Sequence, residues 1–87
     1  MTETYGIYSV IDNDVHSFSF PFYQVNDKSA IRMCADVPHL EACKLVKLGT
    51  FSRILEEDTC DYSFDVYNKS VLIKDFSEDN SEEVQSE

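Results

Sequence analysis

Tryptophan is absent, and glycine and proline occur only as Gly6, Gly49, Pro21 and Pro38. With the glycines so far apart no phosphate-cradling loop can be drawn, because such loops need clustered glycines to bring backbone N–H groups onto the ligand. No apolar run approaches the ~20 residues that a helix needs to cross a bilayer. No charged segment followed by an apolar core opens the chain in the manner of a secretion signal. Basic residues are scarce: seven Lys and Arg stand against seventeen Asp and Glu, a formal charge of −10 in 87 residues. Such a charge repels phosphate at long range and argues against tight, non-specific duplex binding driven by counterion release, though not against a local basic patch. Cys34, Cys43 and Cys60 are odd in number and lack CxxC spacing. They read as free, buried thiols in a reducing cytosol.

What remains is enough for one small domain. Hydrophobic residues make up 43% of the chain and aromatics 13%, with six Phe and five Tyr filling the core. A domain this size buries only roughly 60% of the surface its unfolded chain exposes, so its stability margin is thin. A homo-oligomer would widen that margin and stays open. The charge is uneven. From Asp75 to Glu87 the chain carries six acids and no base, which leaves eleven acids against seven bases over residues 1–74.

The pattern predicts an α+β domain over residues 1–76 and a disordered acidic tail over 77–87. Residues 4–11 (TYGIYSVI) are β-branched and aromatic, as strands are. Asp12-Asn13-Asp14 supplies a turn, and Phe18, Phe20 and Phe22 then alternate with Ser17, Ser19 and Pro21 to form a second strand. Pro21 cannot donate to a ladder and places that strand at an edge or near its end. Asn26 or Asp27 caps a helix over residues 28–37, which Pro38 ends. Residues 39–43 read as a further helical turn or a loop. Residues 44–51 form a third strand with a bend or bulge at Gly49. Cys60, Tyr62, Phe64 and Val66 alternate with acids and serine in a fourth. Asn68-Lys69 then predicts a tight turn, and residues 71–76 a returning fifth strand. The expected order is β-β-α-β-β-β, one helix packed on a mostly antiparallel sheet.

Catalysis lacks its parts. Only His16 and His39 could serve a nucleophile, no GxSxG elbow exists, and most carboxylates fall in turns or the tail. We therefore expect a binding protein that is not an enzyme and needs no cofactor. Cys34, His39, Cys43 and Cys60 are ligand-type residues, but no closely spaced pair repeats as in zinc sites, so no metal is expected. Single-stranded nucleic acid is a nearer prospect, since exposed rings beside cations hold bases by stacking. The candidate residues are Tyr8 and Tyr23 with Lys28, Arg32, Lys44 and Lys47, and Tyr5, Tyr62 and Tyr67 as further rings. Against this stands a bland reading: the rings are core, and Lys44 and Lys47 are edge-strand charges that deter aggregation. The tail has three readings. It solubilises, it competes with nucleic acid for the domain's cations, or it docks on a basic partner.

Ile7-Tyr8-Ser9-Val10 followed by Asp12 resembles the opening of the small nonstructural protein of gokushovirus-type microviruses, which are single-stranded DNA phages. Phe20-Pro21-Phe22, Asn26-Asp27, Ala30 and Arg32 continue the resemblance, and Leu45, Leu48-Gly49 and Phe51 match its later Leu-x-x-Leu-Gly-x-Phe segment. The family's longer link after the helix, and the Asp-x-x-Thr-Gly turn that follows its Phe, are not found; here Pro38 to Lys44 and Ser52-Arg53-Ile54-Leu55 take their places. The resemblance implies a nonstructural accessory protein of the host bacterial cytoplasm. Such a protein acts in single-stranded DNA replication and packaging by binding that DNA or the replication–procapsid machinery. The alternative is an acidic module that occupies a basic, nucleic-acid-binding surface on a partner.

Overall fold

The computed structural model describes residues 1–15 and 17–77. It is an antiparallel sheet with one short helix. The strands are β1 (Thr2–Asp12), β2 (Ser17–Phe18), β3 (Phe22–Gln24), β4 (Cys43–Leu55) and β5 (Cys60–Asp75), and the helix α1 is Asp27–Met33. The order across the sheet is β2-β1-β4-β5, with β3 also paired to β1. Residues 78–87, which hold almost all of the expected tail, lie outside the described residues.

The outer neighbour of β1 is broken, as Pro21 requires. Ser19 sits at the break and uses its side chain in place of a ladder group: the Val10 N–H donates to Ser19 Oγ at 2.9 Å, and the Ser19 N–H donates to the Val10 carbonyl at 2.8 Å. Buried Ser9 donates to the Ser19 carbonyl at 2.9 Å, so no buried hydroxyl is orphaned there. Asn26 caps α1, its side chain accepting from the Ser29 N–H at 2.8 Å. The α-helix stops at Met33 and tightens into a 3₁₀ turn over Cys34–Asp36; Val37 is extended, as a residue before proline prefers. His39, in the left-handed region at φ 57°, leads into a second 3₁₀ turn, Leu40–Ala42.

The largest departure from expectation lies in β5. Residues 71–76 do not fold back on 60–66. Both segments pair with β4, Val66 opposite Gly49 and Val71 opposite Lys47, so residues 67–70 bulge opposite Leu48 alone. The 13-residue β4 is long enough to serve both segments, and the turn formers Asn68 and Lys69 are absorbed in the bulge. Lys44 and Lys47 consequently lie on a central strand between β1 and β5, not on an edge. At Gly49 an added Cβ would meet the Asp65 carbonyl oxygen at 2.2 Å, so glycine lets the two backbones close beside the bulge.

The helix covers one end of one face. Tyr8, Val10, Cys43 and Leu45 from the sheet meet Ala30 and Cys34 from the helical segment, with Phe76 closing the cluster. Burying these apolar surfaces contributes about 25 cal/mol per Å². At the other end, Thr2 to Tyr5, Thr50 to Leu55 and Cys60 to Asp65 run together as a three-stranded arm beyond the helix.

Candidate interaction face

Strand alternation sorts the arm's two faces, and the register decides which rings meet. Tyr5, Phe51 and Phe64 form one cross-strand row, and Glu3, Arg53 and Tyr62 the next. Thr4, Ser52 and Ser63 form the intervening row on the opposite face, where Thr4 and Ser52 share a hydrogen bond of 3.0 Å. Tyr23 of β3 lies opposite Ile7 and joins the ring-bearing face. Phe51 is the hub. Its ring centroid lies 4.9 Å from Phe64, 5.1 Å from Tyr23, 5.7 Å from Tyr62 and 6.2 Å from Tyr5. Around it Tyr23, Phe64, Tyr62 and Val66 are 50, 58, 60 and 68% exposed. A row of large side chains this exposed is a candidate interaction surface.

The arm's charge is of one sign. Glu3, Glu56, Glu57, Asp58, Asp61 and Asp65 stand there against the Arg53 side chain and the Met1 ammonium, which donates to the Leu55 carbonyl at 3.0 Å. The Arg53 Nε donates to Glu3 at 2.7 Å, and that carboxylate holds the guanidinium above its ordinary pKa. The helix-covered end is balanced: Asp12, Asp14, Asp27, Asp36, Glu41 and Asp75 match Lys28, Arg32, Lys44, Lys47, Lys69 and Lys74.

The six residues expected to hold nucleic acid are not brought together. Tyr8 is fully buried beneath the helix, donating its hydroxyl to Asp27 at 2.6 Å, so its ring cannot stack on a base. Alternation could not show this, because it does not say which face receives the helix. Burial first, then the Asp27 bond, hold the Tyr8 phenol well above the usual range. Lys47 lies over the Tyr8 ring, 3.9 Å from Asp27, and is engaged. Lys28 and Arg32 are exposed on α1, on the face opposite the rings. Lys44 alternates onto the ring-bearing side but lies seven residues along β4 from Phe51, roughly 20 Å away. Of the six, only Tyr23 belongs to the aromatic row. Sequence reasoning named Tyr5 and Tyr62 but missed Phe51 and Phe64, which the register alone places between them.

A second feature lies at the helix-covered end. A cleft of about 390 Å³ is lined by Phe18, Phe20, Phe22, Met33, Val37 and Pro38, with the thiols of Cys34 and Cys43 behind them. Burial pushes both thiols up, which keeps them protonated and weakly nucleophilic. Among the described residues no three His, Cys, Asp or Glu side chains converge into a metal-binding set. Among those residues, too, no helix is long and apolar enough to cross a membrane.

Compared with family models, curated proteins and solved structures, the chain has no match. Several of the motif residues singled out in the sequence hold the fold: Tyr8, Val10, Ala30 and Leu45 are core, and Asn26 is the helix cap.

Proposed function

We propose that the chain is a non-catalytic binding protein that docks, through the aromatic face of its arm, on a basic protein surface. The observation that carries this reading is the exposed ring row around Phe51 on an arm whose only cationic side chain is tied to Glu3. Rings of this kind anchor interfaces and accept arginine guanidinium groups over their faces. The surrounding acids steer a cationic partner and repel a phosphate backbone. Together with the motif likeness to a single-stranded DNA phage protein, this supports a partner in the replication or packaging machinery. The surface it would occupy there is one that otherwise holds nucleic acid. Direct binding of single-stranded DNA has less support, because the free cations of α1 face away from the rings.

The test is a competition. A labelled single-stranded oligonucleotide is bound to a purified microvirus replication-initiation protein, and the full chain is added at low salt. We expect the oligonucleotide to be released, with release weakening as salt rises. Tyr23→Ala should weaken the effect about tenfold, the usual scale of an anchor truncation. If the chain binds the oligonucleotide by itself, with affinity lost in Arg32→Ala and kept in Tyr23→Ala, the reading fails.

A further inference from the structure

The outer edge of β5 carries an independent inference. Among the described residues β5 pairs only with β4 and ends the sheet. From Cys60 to Val66 its outward edge has no lysine, arginine, proline or bulge, and its charges are Asp61 and Asp65 on the face opposite the rings. The bulge begins only after Val66. The regular stretch is thus a pairing template of defined length.

We propose that this edge takes a second copy of the chain, its β5 antiparallel to the first, with the two-fold axis at Phe64. The charges select that register. A two-fold axis perpendicular to the sheet keeps the ring-bearing faces of both copies on one side. Centring on Ser63 sets Asp61 opposite the partner's Asp65, and centring on Asp65 sets that carboxylate opposite its own copy; both are disfavoured. Centring on Tyr62 runs the pairing out of the strand at Cys60, and centring on Val66 runs it into the bulge. At Phe64 no like charges stand directly opposite one another, the aspartates of the two copies being only diagonal neighbours. Phe64 faces Phe64, Tyr62 faces Val66, and Ser63 faces Asp65 across the polar side. The aromatic rows of the two arms then join into one surface, Tyr5 to Phe51 to Phe64 and on into the partner. This inference concerns the edge and does not rest on the docking role of the face.

Sedimentation equilibrium of the full chain at about 100 μM should show a dimer, with affinity in the micromolar range expected of a small interface. Because both copies are acidic, dimerisation should strengthen as salt rises, the opposite of docking on a basic partner. Phe64→Lys, which sets two ammonium groups face to face, should weaken the dimer about tenfold or more. Tyr23→Ala, on the far side of β1, should leave it unchanged. A position-specific cross-link guards against misfolding of the lysine variant. With Cys60→Ser, a cysteine introduced by Phe64→Cys lies opposite itself at a separation a disulfide can span, and oxidised glutathione should link the copies. A cysteine introduced by Tyr62→Cys faces Val66 and should not link. A monomer at about 1 mM overturns the proposal, as does equal cross-linking from both positions; a dimer indifferent to Phe64→Lys with its circular dichroism intact does so too.

Discussion

The two ends of this sheet are made of the same three strands and serve different ends. Where α1 lies on it, Tyr8 and Leu45 are 0% exposed, and acids and bases balance. Beyond the helix, the same strands leave Tyr62 and Phe64 more than half exposed among acids. The lesson is that one β-hairpin is packed under the helix at its root and leaves large rings open at its tip. A ribbon uncovered on both faces adds little stability of its own, so the covered end must hold the fold.

The sharpest way to break that contrast is to truncate one buried and one exposed side chain. Leu45→Ala should destabilise the chain by about 2–5 kcal/mol, the range for an aliphatic residue cut from a filled core. On a margin as thin as that of a chain this short, it should lower the thermal midpoint by ten degrees or more, roughly. Phe64→Ala should cost about 1 kcal/mol or less, since much of its ring already meets water. Thermal melts followed by circular dichroism decide the matter. Equal costs at the two sites would show that the arm shares in the core.

Gly49→Ala tests the junction. The new methyl would press on the Asp65 carbonyl and the Val66 backbone, neither of which rotates away. We expect a loss of about 1–3 kcal/mol from this overpacking. We also expect faster amide exchange in residues 60–66 than in β1, because the arm would loosen from its root.

Several of these features were legible in the residues. The alternation in residues 60–66, a cap at Asn26 or Asp27, the edge position near Pro21 and a bend or bulge at Gly49 are local signals that the fold repeats, with Asn26 as the cap; the continuous strand expected around Pro21 is instead split into β2 and β3. What could not be read is long-range. Asn68-Lys69 announces a departure from regular strand, but whether the chain reverses or bulges depends on the length of β4 and on the space that Gly49 leaves. Likewise Tyr5 and Tyr8, three residues apart on one strand, point to opposite faces, and which of them is buried depends on the face where α1 lands.

Alkaline pH separates the two ends more finely. The buried Tyr8 phenol titrates higher in the folded chain than the usual value near 10 in the unfolded chain. The folded state therefore keeps a proton that the unfolded state has lost. The associated stability is fully present below about pH 10 and falls as pH rises beyond it, by up to about 1.4 kcal/mol per unit. Tyr8→Phe should flatten that decline in a urea-midpoint series from pH 9 to 11. At neutral pH it should cost about 1 kcal/mol for the lost bond to Asp27.

The smallest expected effect sharpens the comparison most, because it separates charge from packing on the arm. Arg53 and Glu3 are joined across β4 and β1 at 2.7 Å, with both side chains partly in water. Such a pair is worth about 0.2–1 kcal/mol, and less at high salt. Glu3→Gln should therefore barely move the thermal midpoint. It should nonetheless free a guanidinium in the row of Tyr62 and remove one acid from the arm. If acidity steers a basic partner to the rings, association should slow while the fold stays intact, and the salt dependence of the association rate should shrink. If association is unchanged while Tyr23→Ala abolishes binding, the rings act alone, and the acids of the arm serve only to keep it solvated.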